Sequence, residues 1–151
     1  MNALELLKED HRKVKKLLEE LESTTERGVK TRTGLFEKVK SELQVHEVIE
    51  EEILYLALKE HPKAKEIVLE GYEEHDVVDR LLGDLQGLPV EDETWGPKLK
   101  VMKENVEHHI EEEEGEMFEK ARSVFDKDEL AAMGERMEAR KKEAEQALAT
   151  P

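Results

Sequence analysis

The sequence predicts an all-α protein, an up-down-up-down four-helix bundle with an additional C-terminal helix. Three observations point there. Apolar residues recur at three- and four-residue steps along four long segments. Short breaks containing Gly, Pro, Ser and Thr separate those segments. No sustained apolar/polar alternation and no hairpin turn signal occurs. Long helices joined by short connections pack antiparallel around one core, and 151 residues suffice to bury one.

Each element follows from local chemistry. Asn2 caps a first helix with Leu4, Leu7, Val14, Leu18 and Leu21 on one face; it ends at Ser23-Thr24-Thr25, with Gly28 beyond. A second helix is expected from near Thr33 to about His61, where Pro62 stops it. Pro62 suits the first turn of a third helix running to about Gln86, and Gly87-Leu88-Pro89 reads as a turn. Thr94 caps a fourth, with Pro97 in its first turn, reaching about Arg122. Asp126 and Glu129 resemble a capping box for a fifth, shorter helix carrying Leu130, Met133, Met137, Ala144 and Leu148. The expected division is a bundle over residues 1–122 and, over 123–151, a helix that packs on it or forms a dimer contact.

Composition narrows the function. The chain has no cysteine, which excludes a disulfide scaffold, a thiolate zinc site, an Fe–S cluster and a Cys nucleophile. With 24 Lys plus Arg against 39 Asp plus Glu, the net charge of −15 speaks against nucleic acid or an anionic membrane as partner. No apolar run spans a bilayer and the N-terminus lacks a signal-peptide shape, so a cytoplasmic location is expected.

The chain also repeats. Residues 10–21 align with 74–85, with His, Val, Leu-Leu and Leu in register. His46 is followed by Glu50, Glu51 and Tyr55 just as His109 is followed by Glu113, Glu114 and Phe118. These polar residues interrupt apolar seams. The first helix reads Leu7, His11, Val14; the second Leu43, His46, Glu50, Ile53, Ala57; the third Gly71, His75, Val78; the fourth Val106, His109, Glu113, Met117. All lie near helix midpoints, which sit side by side in an antiparallel bundle. Four imidazoles and two carboxylates are therefore expected in one interior layer. An isolated buried carboxylate is costly to keep ionised, and a metal held by imidazole and carboxylate removes that cost. Such a donor set suits iron, manganese or zinc.

Together, Asp10-His11, His46 to Glu51 (His-x-x-x-Glu-Glu), Glu74-His75 and His109 to Glu114 (His-x-x-x-Glu-Glu) resemble the hemerythrin-like, or HHE cation-binding, domains over residues 1 to about 122. The resemblance implies two iron ions bridged by oxo or hydroxo and by carboxylates, with zinc or manganese as less favoured occupants. The ligands it implies are His11, His46, Glu50, His75, His109 and Glu113. Two positions depart from the oxygen carriers. Asp79 stands where they have a second third-helix His, and Glu113 lies four residues after its His where they have an Asp five residues on. This favours binding or reduction of a small oxidant (O2, peroxide or NO), with catalase- or peroxidase-like turnover, over oxygen transport. The alternative is a non-catalytic sensor of O2, NO or iron, or an iron store. A monomer or homodimer is expected.

Five further residues are weighed. Glu47 is a recruited carboxylate or, more simply, a solvated Glu. Asp79 ligates, orients His75 or pairs with a surface cation. Tyr72 packs in the core or donates a hydrogen bond to the metal layer. His108 points about 100° away from His109, to the surface, and His61 belongs to a loop. With imidazoles of ordinary pKa near 6.5, metal is expected to leave below about pH 6.

Overall fold

Asn2 opens the first helix with a reciprocal cap: its side chain accepts from the Glu5 N–H at 2.9 Å while Glu5 Oε1 accepts from the Asn2 N–H at 3.0 Å. The structure, a computed structural model, describes residues 1–149. These form α1 (Ala3–Glu22), α2 (residues 29–58), α3 (Lys65–Gln86), α4 (residues 95–124) and α5 (Lys127–Ala149), with no strand among the described residues. No helix among them is long and apolar enough to cross a membrane.

Two boundaries differ from the sequence expectation. α2 begins at Val29, not near Thr33. The Arg32 guanidinium is buried there. It donates to Thr24 Oγ1 (3.0 Å), the Thr24 carbonyl (2.9 Å) and the Val90 carbonyl (2.6 Å), and it lies 4.8 Å from the Trp95 ring centroid. These bonds tie the first turn to two loops. α3 begins at Lys65, because the His61 carbonyl accepts from Ala64 (2.9 Å) and Lys65 (3.1 Å) and closes a turn over Pro62. Thr94 precedes α4 but its hydroxyl donates to Asp92 Oδ1 (2.6 Å) and does not cap the helix.

α2 and α4 each contain one wide π turn, Glu50–Tyr55 and Glu113–Met117. Each begins at a seam carboxylate, and such turns insert an extra residue into the helix. In α2 the insertion turns Ile53, Leu54, Tyr55 and then Leu58 inward and leaves Ala57 only half-buried. The predicted seam is therefore right up to Ile53 and fails at Ala57.

α5 is not the shorter element expected. It spans 23 residues against 20 in α1, and packs against α1 and α2 through Leu130, Met133, Met137 and Ala144, with Leu148 exposed. The Asp126–Glu129 capping box forms, with bonds of 3.0 and 2.8 Å. Gly134 touches the N-terminal backbone: a Cβ there would collide with the Met1 carbonyl oxygen and lie 2.8 Å from the Asn2 carbonyl carbon.

The bundle pairs α1 with α2 and α3 with α4, and α1 meets α4, while α2 and α3 meet through side chains such as Tyr55 on Tyr72 and Glu51 on His75. Its interior holds two apolar clusters. One gathers Leu4, Leu7, Leu54, Phe118 and the inner face of α5. The other gathers Leu18, Leu21, Phe36, Leu85, Trp95 and Met102. The polar layer lies between them.

Candidate metal centre

All six predicted seam residues meet in that layer. They range from 0% exposed at Glu50 to 7% at His109. Glu50 and Glu113 are common to two constellations: one adds His11 and His46, the other His75 and His109, and in each the donor atoms lie within 4.8 Å of one another. Each carboxylate turns one oxygen toward each histidine pair. Glu50 Oε2 lies 2.9 Å from His46 Nε2, and Glu50 Oε1 lies 2.9 Å from His75 Nε2. Glu113 Oε1 lies 3.0 Å from His11 Nε2, and Glu113 Oε2 lies 3.1 Å from His109 Nε2. Glu50 Oε2 and Glu113 Oε1 are nevertheless without a hydrogen bond. The His11 and His46 Nε2 atoms face each other at 3.2 Å. Converging nitrogens around orphaned buried oxygens are what a cation would satisfy.

The opposite ring edges are held just as regularly. His11 Nδ1 donates to Glu114 (2.7 Å), His46 Nδ1 to Asp10 (3.2 Å), His75 Nδ1 to Glu51 (2.6 Å) and His109 Nδ1 to Glu74 (2.6 Å). A carboxylate that accepts at Nδ1 directs the Nε2 lone pair inward, the arrangement that orients metal-binding histidines. The internal repeat carries this ring too: Asp10 matches Glu74, and Glu51 matches Glu114. Sequence reasoning quoted these four residues as motif letters and missed their role. The available signal was their position, directly before or after a seam residue in both halves. Lys141 of α5 extends the ring, donating to Asp10 Oδ1 at 2.6 Å.

The two halves differ at Tyr55 and Phe118. The Tyr55 hydroxyl donates to Glu113 Oε2 (2.7 Å), and its ring stacks on His75 at 5.3 Å. Phe118 occupies the matching place beside His11 without a hydroxyl. The tyrosine at the site is therefore Tyr55; Tyr72 packs edge-on against it at 5.2 Å. Glu47 is buried, which corrects the solvated reading, and it hydrogen-bonds to exposed Asp79. His75 bonds to Glu51 and Glu50, not to Asp79. His108 is exposed, as expected, and forms an outer constellation with Glu74 and Glu112. His61 lies outside the centre against Phe125.

Electrostatics in the metal-free protein follow from this geometry. Burial opposes the charging of His46, but the Glu50 carboxylate and the bond to Asp10 outweigh it and hold the imidazole up at about 10. His75 is likewise buried, yet Glu50 and Glu51 raise it to about 9. His11 and His109 also shift upward against burial, through Glu113 above all. Burial would raise Glu50, but the His46 charge holds it well below the ordinary carboxylate range. Burial, then the bond to Asp79, pushes Glu47 up to about 9. Without metal, His46 and His75 thus pair with Glu50 as imidazolium and carboxylate.

The family model described as the hemerythrin HHE cation-binding domain matches residues 2–121. A crystal structure of a hemerythrin HHE cation-binding domain-containing protein from Mycobacterium kansasii is similar at a TM-score of 0.86 and 28% identity, over 97% of this chain and 89% of that one. A search of curated proteins finds no match.

Proposed function

Because the chain belongs to the hemerythrin HHE cation-binding domain family, we propose that its bundle holds two iron ions and binds or reduces a small oxidant such as O2, peroxide or NO. The observation that carries this is the pair of shared carboxylates, Glu50 and Glu113, each offering one oxygen to each histidine pair. In this reading His11 and His46 hold one ion, His75 and His109 the other, and Glu50 and Glu113 bridge them. Residues 1–122 supply the ligands, and the helix beyond braces Asp10 through Lys141. Bound iron would supply one-electron redox chemistry at a site that imidazole and carboxylate suit.

The chain's own residues prepare the place. The four Nδ1 bonds fix ring orientation, and Tyr55 holds Glu113 through a hydroxyl whose proton burial and the neighbouring Glu113 and Glu50 carboxylates keep in place. Beside the four histidines lies a cavity of about 20 Å³, also lined by Val78, Val106 and Ile110. That is room for one water-sized or diatomic molecule. Adding hydrogen peroxide to iron-loaded protein tests the reading. Many oxygen molecules evolved per chain mark turnover, stoichiometric consumption marks a sensor or store, and inertness toward peroxide, O2 and NO overturns the proposal.

Register and protonation give two checks. Elemental analysis should find metal lost from His109→Ala and retained in His108→Ala; the reverse would put the α4 register off by one residue. The raised imidazoles also move proton competition upward from the pH 6 expected for ordinary histidines. With His46 near 10 and His75 near 9, both are charged at pH 7 in the metal-free protein. Metal must displace those protons, so binding at pH 7 should release about one proton or more per ion, and affinity should rise toward pH 9. Calorimetric titration in two buffers of different ionisation enthalpy measures the release. Equal heats in both would contradict it.

A further inference from the structure

We propose that the groove between α2 and α3 is the route by which a divalent cation reaches the interior, and that Glu47 passes it from solvent to the imidazoles. This rests on the reading that the six seam residues hold metal. Those residues are closed off from water, so a cation needs a way in.

The α2–α3 side offers one, because around Glu47 and Asp79 the side chains of these two helices leave open space. A groove of about 470 Å³ opens there, with Glu47, Glu51, Glu52 and Asp79 among its walls and Lys40 at its side. Glu52 is paired with Arg140 at 2.7 Å, which leaves Glu51 and Asp79 as the carboxylates at the mouth that draw cations and repel anions. At the floor stands Glu47, only 9% exposed, with Oε1 lacking any hydrogen-bond partner. Glu47 lines both the groove and the 20 Å³ cavity beside His11, His46, His75 and His109. One side chain therefore separates solvent-side carboxylates from the centre. A buried carboxyl oxygen without a partner is costly, and a passing cation is the partner it lacks.

The internal repeat sharpens the point. Aligning His46 with His109 places Ile110 where α2 has Glu47. Ile110 is buried and closes the matching position with an apolar wall. The two halves thus share ligands but not access. Passage is a ligand exchange only: the cation trades water for Glu51 and Asp79 at the mouth, then Glu47, then Nε2 of His75 and His46. No electron or covalent bond is transferred.

The test follows cobalt(II) loading of the metal-free full-length protein by its visible absorption in a stopped-flow instrument, with final content from elemental analysis. Glu47→Gln keeps size and removes the carboxyl group that would take the cation. It should load on the order of tenfold more slowly and still reach the wild-type cobalt content. Asp79→Asn should slow loading in the same direction. His108→Ala, in the outer constellation on α3 and α4, should load at the wild-type rate. Wild-type kinetics in Glu47→Gln would overturn the route. So would a lower final content, which would make Glu47 a permanent ligand, or equal slowing in His108→Ala. If the wild-type protein takes up no cobalt, the metal-binding reading itself falls, a result distinct from all of these.

Discussion

Glu50→Ala should strip at least one metal from the protein and weaken what remains. Glu50 is fully buried and lies within 4.0 Å of an Nε2 atom of all four seam histidines. Alanine therefore removes a donor shared by both constellations. It also leaves raised, charged imidazoles without their main counter-charge. Breaking a buried ion pair from one side costs about 3–5 kcal/mol, a large share of the roughly 5–15 kcal/mol that holds a domain together. Glu113→Ala should act alike on metal content and also take away the short acceptor of the Tyr55 hydroxyl, leaving it only His109 Nε2 at 3.5 Å. Elemental analysis with denaturant unfolding of the metal-free variant checks both parts. Full metal content in Glu50→Ala would remove it from the ligand set.

Removing metal from the wild-type protein should lower its Tm by about 10 °C while leaving it largely helical. Metal bound only to the folded state adds RT ln(1 + [L]/Kd), about 4 kcal/mol at a thousandfold excess over Kd. For a chain of this size each kcal/mol moves Tm by about 2–4 °C. Helicity should persist because the apolar clusters on either side of the layer do not depend on the metal. The metal-free form should in turn depend on pH in a defined way. The pairs formed by raised His46 and His75 contribute fully below about 6.5, the unfolded imidazole value, and are lost as pH rises through about 9 to 10. The contribution of depressed Glu50 is present above about 4.5 and lost as pH falls further. Stability of the metal-free protein should therefore peak between about pH 4.5 and 6.5 and decline as pH rises from there to about 10. Melts followed by circular dichroism, with and without chelator, measure both effects.

The bundle and its six seam residues were legible because polar side chains broke an apolar period at matching places in two aligned halves. Leu7, His11 and Val14 in α1 and Gly71, His75 and Val78 in α3 can be read by spacing alone, and the structure buries them all. Readability ended where tertiary contacts override local pattern. The π turns shift the register by one residue and cannot be seen in a 3.6-residue period, so Ala57 was misplaced and Tyr55 was not recognised at the centre. The start of α2 depends on Arg32 finding carbonyls at Thr24 and at Val90, the latter distant in the sequence. Glu51 and Glu114 sit in acidic runs whose members spacing alone does not tell apart, and only the folded bundle brings His75 and His11 to them. Glu47 was hidden in the same way: it is buried only when α3 and α4 bring Val78 and Val106 up to it.

The most direct test is the metal content of metal-free wild-type protein titrated with iron(II) under anaerobic conditions, washed free of loosely held ions and compared with the double variant Glu50→Ala/Glu113→Ala. Two constellations joined by two carboxylates predict about two irons per chain in the wild type and none in the double variant. Wild-type protein that retains no iron, or a double variant that retains as much as the wild type, would contradict a shared interior centre built from these six side chains.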